Sequence, residues 1–310
     1  MRRVITTVTL LGLLVATSAA FAITEHLKLT KSDVTGVVIP LKVFSPVCRC
    51  ETREAPVIVT LRHTGHLTVI VVDSAGHRVA TIASGVLMQA HQAKDFTWDG
   101  RTDAGGLAPD GVYHPWIELP RRTLRLVNNI TVDTRAPRVL SAGIVKREPV
   151  LFVGPGRTVA IHYELSGKAH PVVYLGGSQV VLGRSIQPSG KVKWAGRRNH
   201  LALPAGRYVL SIGARDNAGN ETPPAGRKQV TVAIRYIELT PARSTVRGGR
   251  RLTVRVETAA KRYTWRLGRR HGSRRGKILH VRAPTTPGTY RLVVAENGHT
   301  ATAVVRVRAK

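Results

Sequence analysis

A chain of 310 residues with 43% hydrophobic residues has material for two or three ordinary domains, each with its own core. Aromatics make up only 5%, while Val, Thr and Gly recur along the whole length, which favours short strands and tight turns over long helices. The formal charge of +30 gives a long-range attraction to anionic surfaces, and because the arginines alternate with apolar residues, the chain is not a disordered basic tail.

Met1, Arg2 and Arg3 precede an apolar run from Val4 to Ile23 that meets no charge before Glu25, the pattern of an export signal. Ala20-Phe21-Ala22 places small residues at the two positions a signal peptidase reads, giving cleavage after Ala22. The same run is long enough to span a bilayer as a hydrophobic helix, with Arg2 and Arg3 holding its start in the cytoplasm. Residues 1–22 therefore read as a signal peptide or a membrane anchor, and residues 23–39 as a linker and first strand. Either way the rest is extracytoplasmic, secreted or anchored to the cytoplasmic membrane.

Cys48 and Cys50 flank Arg49, and an exported location lets them oxidise. On an extended strand their α-carbons would lie near the upper limit for a disulfide, so a local bridge needs a bend, which Pro46 makes available. A bridge and two free thiols both remain open. A zinc site would need further ligands, and no second Cys pair or spaced His pair completes one.

Further on, Leu67 to Asp73 and His77 to Ile82 read as two strands joined through Ser74-Ala75-Gly76 into a hairpin. His63-Thr64-Gly65-His66 has the composition of another hairpin tip, which explains its two imidazoles better than metal ligation does. A repeated signature follows. Trp98-Asp99-Gly100-Arg101 and Pro109-Asp110-Gly111-Val112-Tyr113 return as Trp194-Ala195-Gly196-Arg197 and Pro204-Ala205-Gly206-Arg207-Tyr208. The later half returns once more as Pro287-Gly288-Thr289-Tyr290.

The tyrosines are 95 and 82 residues apart, one immunoglobulin-sized sandwich per repeat. Pro presets a turn torsion, Gly supplies positive φ, and the Tyr opens a strand. Tyr113, Tyr208 and Tyr290 are in step with the apolar positions that follow them, so they and the two tryptophans are core anchors. Asp133-Thr134-Arg135-Ala136-Pro137 and Thr240-Pro241 mark the starts of new domains. The expected architecture is all-β: tandem antiparallel immunoglobulin-like β-sandwiches over residues 40–134, 136–235 and 236–310, preceded by the N-terminal hydrophobic helix.

Phe44-Ser45-Pro46, the strand Leu67–Asp73 with Ala75-Gly76-His77-Arg78-Val79, the Trp98 turn, Asp103-Ala104-Gly105 and Pro109–Tyr113 together resemble the FlgD-type immunoglobulin-like domain over about residues 40–134. The second repeat looks like a diverged copy lacking counterparts of Asp99 and Asp103; the third resembles only a generic bacterial sandwich. The resemblance implies a structural or adhesive module of exported proteins. The chain lacks a hook-cap protein's long polar N-terminal region, and no protease domain precedes the repeats, so the fold carries over and the flagellar role does not.

Asp99, Asp103 and Asp110 are weak calcium candidates, since calcium takes loop carboxylates, but Asp also fills turns by accepting backbone hydrogen bonds. No nucleophile elbow, phosphate loop or paired zinc ligands appear, so neither an enzyme nor a cofactor is expected. Charge is uneven along the chain. Residues 23–135 carry 13 Lys and Arg against 11 acids, residues 136–235 carry 15 against four, and residues 236–310 carry 18 against three.

Arginine outnumbers lysine 36 to 12, as a GC-rich coding sequence would give, and in Leu252–Glu257 the arginine is simply the solvent face of a half-buried strand. The densest cluster, Arg269, Arg270, Arg274, Arg275 and Lys277 around Gly272 and Gly276, reads instead as a loop and is the candidate polyanion contact. No aromatic ladder accompanies it, so no specific nucleic-acid recognition is expected.

The reading is a non-catalytic extracytoplasmic structural or interaction protein of the bacterial cell envelope. An anionic envelope polymer, lipid headgroups or an unidentified protein are its candidate partners. The alternatives are a polyanion-binding surface protein and, by family analogy, a flagellar or secreted-protease accessory module.

Overall fold

Strand alternation governs the fold that these residues adopt in the computed structural model, which describes residues 13–17, 33–144 and 150–309. The first sandwich comprises β1 (Val34–Val38), β2 (Val43–Phe44), β3 (Ala55–Leu61), β4 (Gly65–Val72), β5 (Arg78–Met88), β6 (Ala93–Trp98), β7 (Gly111–Leu119), β8 (Arg122–Arg125) and β9 (Ile130–Val132). One sheet runs β1-β3-β6. The other runs β2-β9-β7-β4-β5, with β8 beside β7. β3 shows why two sheets face each other: Ala55, Val57, Val59 and Leu61 are buried and the residues between them are not.

The second sandwich comprises β10 (Val139–Gly143), β11 (Val150–Phe152), β12 (Val159–Leu165), β13 (His170–Leu175), β14 (Ser178–Leu182), β15 (Ser189–Trp194), β16 (Arg197–Arg198), β17 (Leu201–Ala202), β18 (Gly206–Arg215) and β19 (Lys228–Arg235). The third comprises β20 (Ile237–Thr240), β21 (Arg243–Arg247), β22 (Arg251–Thr258), β23 (Arg262–Leu267), β24 (Arg270–Arg275), β25 (Ile278–Arg282), β26 (Gly288–Glu296) and β27 (His299–Arg308). Each has a three-stranded sheet, β10-β12-β15 or β20-β22-β25, facing a five-stranded one, β11-β19-β18-β13-β14 or β21-β27-β26-β23-β24.

One topological device recurs in all three. The opening strand pairs antiparallel in the smaller sheet, as β1 with β3, β10 with β12 and β20 with β22. The chain then crosses over and pairs parallel with the last strand of the larger sheet, as β2 with β9, β11 with β19 and β21 with β27. The first and last segments of each sandwich are thereby hydrogen-bonded together.

Each sandwich has its own apolar cluster, around Trp98 and Phe44, around Trp194 and Ile161, and around Tyr263 and Val254. The chain divides after Thr134 into two compact units, the second holding the second and third sandwiches. Within that second unit, β19 ends at Arg235 and β20 starts at Ile237, so Tyr236 is the entire connection. Its ring packs against the second core and stacks on His299, with centroids 3.5 Å apart.

Two expectations are corrected. Thr240-Pro241 do not open the third repeat; they lie inside it, where the chain crosses from β20 in one sheet to β21 in the other. His63–His66 are not a hairpin tip, because β3 and β4 lie in different sheets and the segment passes between them. Of the expected N-terminal hydrophobic helix, residues 13–17 are described and are helical, and the rest of the apolar run lies outside the described residues. Among the described residues no helix is long and apolar enough to cross a membrane.

Candidate functional site

The repeated Trp-x-Gly-Arg turn folds the same way twice. The Trp98 indole donates to the carbonyl of Arg101 at 2.8 Å, and the Trp194 indole to that of Arg197 at 3.0 Å. Both indoles are fully buried, each edge-on to the repeat's tyrosine, Tyr113 at 5.0 Å and Tyr208 at 6.5 Å between centroids. The tyrosine hydroxyls donate four residues back, to Pro109, Pro204 and Thr286. These aromatics hold the fold.

The aspartates of the first repeat serve the backbone. Asp99 accepts from the amide of Arg101 at 2.9 Å. Asp103 accepts from the amide and hydroxyl of Thr81 at 2.7 and 3.2 Å, and Asp110 from those of Thr134, both at 2.8 Å. Each carboxylate thus answers a different donor set. Among the described residues no three His, Cys, Asp or Glu side chains gather where they would hold a metal ion.

Cys48 and Cys50 form a disulfide with Cα atoms 5.3 Å apart, inside the usual range. The bend that permits it combines the Ser45–Cys48 turn with the short 3-10 helix Glu51–Arg53. His66 is tied by Nδ1 to the carbonyl of Gly85 at 2.9 Å.

Sequence reasoning missed a polar cluster on the larger sheet of the second sandwich. The Tyr174 hydroxyl donates to Glu221 at 2.9 Å, Arg215 pairs with the same carboxylate, and the Arg227 guanidinium lies 3.5 Å over the Tyr174 ring centre. Burial, reinforced by the neighbouring carboxylate, pushes the Tyr174 hydroxyl up to about 12. Tyr174 falls in an apolar run, Pro171–Leu175, and its partners lie more than 40 residues away.

The candidate polyanion cluster takes a different form from the expected loop. Arg270–Arg275 are strand β24, paired residue for residue with β23. Gly272, which suggested a loop, is there because a side chain would meet the Trp265 indole of the facing residue at about 3.1 Å. Arg269 sits in the two-residue turn after Gly268, whose φ is +60°. Arg270 and Arg274 face Leu267 and Tyr263 across the ladder, so they share the core-side face and are exposed at the sheet edge. Arg275 faces Arg262 on the outer side, and Lys277 Nζ lies 3.2 Å from Glu257. Turn and pleat together divide the five residues among four surroundings.

None of the three acids of the third sandwich lies on the outer face of its five-stranded sheet. Glu238 pairs with Arg235, and Glu257 with Lys277 and with Arg255, whose Nε donates at 2.6 Å. Burial works to raise the Glu257 carboxyl, but the hydrogen bonds from Arg255 and Lys277 outweigh it and hold the group below its ordinary value. Glu296 is buried at the end of β26. Among the described residues of this sandwich the outer face of the five-stranded sheet carries arginines, hydroxyl side chains, His271 and the small apolar residues Val293, Ala295 and Val304, and no carboxylate.

The solved structures that the chain resembles share little sequence with it. A three-domain titin fragment is 11% identical, with 90% of this chain and 100% of that one covered and a TM-score of 0.28. The Bacteroides ovatus mixed-linkage glucan utilization locus SGBP-B, in complex with a mixed-linkage heptasaccharide, is 13% identical over 89% of this chain and 70% of its own, at 0.26. Drosophila OTK extracellular domains 3-5 are 11% identical over 91% and 98%, at 0.20. No curated protein matches the sequence. Residues 50–116, within the first sandwich, match the family model of the FlgD Ig-like domain.

Proposed function

We propose that the chain is a non-catalytic, extracytoplasmic structural and interaction protein of the bacterial cell envelope, its tandem sandwiches acting as spacer and docking surface. The carrying observation is the tyrosine brace repeated at Tyr113, Tyr208 and Tyr290. Together with the two indole bonds and the backbone-bonded aspartates, it commits the residues most apt for chemistry to holding loops in place. What varies between the sandwiches is their charge, from 13 Lys and Arg against 11 acids over residues 23–135 to 18 against three over residues 236–310. The export-type N-terminus and the Cys48–Cys50 bridge support a location outside the cytoplasm.

Protease added to intact spheroplasts tests this reading, with mass determination of the mature N-terminus. Degradation of the repeats is expected, with a start at Ile23 for a secreted chain or at Met1 for an anchored one. Repeats protected until the membrane is broken would overturn the location.

A further inference from the structure

We propose that the outer face of the third sandwich's five-stranded sheet binds an extended phosphate-bearing polymer of the cell envelope along a diagonal track of arginines. The proposal rests on the interaction-module reading and adds the site and the ligand class.

The register draws the track. Arg266 of β23 faces Val293 of β26, and Arg291 is two residues along β26 on the same face. Arg291 faces Val304 of β27, and Arg306 is two residues along β27. Arg306 faces Thr245 of β21, and Arg247 is two residues along β21. Each step from Arg266 through Arg291 and Arg306 to Arg247 therefore moves one strand sideways and one same-face position along. Diagonal neighbours of this kind lie about 7–8 Å apart. All four side chains are exposed, and the line crosses four strands without meeting a carboxylate among the described residues.

Spacing and composition argue for the occupant. Four like charges at that separation lie within a Debye length of about 8–10 Å, so they repel one another when empty, and an anionic chain laid along them relieves the repulsion. Guanidinium forks match two phosphate oxygens each, and the threonines between them, Thr245, Thr289 and Thr302, supply further hydroxyl donors. The apolar residues on this face are small: Val293, Ala295 and Val304. None is a large wedge of the kind that enters a lipid layer. Trp265 and Tyr290 pack against the core, leaving no aromatic platform on the track for bases. A straight row of charges suits a linear polymer whose anions repeat along its length.

The test is retention of the purified full chain on immobilised long-chain inorganic polyphosphate across a salt series. Replacing Arg266, Arg291 and Arg306 together by Thr, a good strand former, is expected to weaken retention about tenfold or more and flatten the log-log salt dependence by about two. A control removing the same charge elsewhere in the sandwich, Arg251→Thr, Arg270→Thr and Arg282→Thr, should stay within about twofold of the parent. Circular dichroism melts confirm that each variant folds, and polyphosphate should raise the melting temperature of the parent more than that of the track variant. Equal losses in the two triple variants would overturn the track in favour of bulk charge. Preference of the parent for anionic vesicles or single-stranded DNA over polyphosphate would overturn the ligand class. Both readouts use purified protein, so they stand or fall independently of the spheroplast result.

Discussion

The hydroxyl of Tyr113 donates to the carbonyl oxygen of Pro109, four residues earlier, at 2.6 Å. Tyr208 does the same to Pro204 at 2.9 Å and Tyr290 to Thr286 at 3.0 Å. This is the tyrosine corner of immunoglobulin-type sandwiches, which ties the turn before a strand to the strand's first core residue. The third acceptor is a threonine carbonyl, so the contact selects a backbone position and not a proline.

Replacing each tyrosine by Phe keeps the ring packing and deletes one hydrogen bond, a loss of about 0.5–1.5 kcal/mol. Tyr113 should show the largest effect, because it is buried against Trp98, whereas Tyr290 is only half-buried. Urea unfolding of the three single variants measures this. Three indistinguishable midpoints, all equal to the parent's, would remove the brace from the account.

Gly100 has φ of +76°, and a Cβ there would lie 2.8 Å from Pro46, whereas Gly105 has φ of +83° with nothing within 4 Å. Gly100→Ala combines backbone strain with a clash, and Gly105→Ala has strain alone. We expect the first to cost about 2–4 kcal/mol and the second about 1 kcal/mol in thermal unfolding. Similar costs would mean that Pro46 yields without resistance.

Tyr236 joins the second and third sandwiches by itself, anchored by its hydroxyl to Leu203 at 2.7 Å and stacked on His299. His299→Ala leaves the anchor and removes the stack, which is worth about 0.5–1.5 kcal/mol. Calorimetry should show the unfolding of residues 135–310 broaden or separate into two transitions. An unchanged, equally cooperative transition would count against coupling through this pair.

Tyr174 keeps its proton to about pH 12 in the folded chain, while an unfolded tyrosine releases it near its ordinary value of 10. Between these values the unfolded state binds fewer protons, so the Tyr174 contribution falls as pH rises from about 10 to 12. Tyr174→Phe should lessen the alkaline loss of stability across that window, followed by denaturant midpoints at successive pH values. A parallel loss in variant and parent would place the effect on other tyrosines.

The repeat was legible because its signals are local. Trp98 and Trp194, or Tyr113 and Tyr208, announce themselves by fixed offsets to Gly and Pro, and apolar alternation in stretches such as Leu252–Val256 needs no knowledge of the partner strand. Gly272 misled, because the chain uses glycine both to turn and to clear space for a neighbour. Only the facing Trp265 distinguishes the two uses.

The sequence by itself determined that the chain is a series of strand-rich repeats, where their braces lie, and that charge accumulates toward the C-terminus. Only the tertiary structure decided where that charge is displayed. A side chain's face follows from strand parity, which is local, but its neighbours follow from register between strands far apart in the chain. Arg266 and Arg306 are 40 residues apart yet lie on one diagonal, and Lys277, which follows Arg275 closely in the chain, is drawn to Glu257. The bend that bridges Cys48 and Cys50 and the pairing of Glu257 with Arg255 and Lys277 were settled at the same level. Each depends on which backbones are hydrogen-bonded side by side.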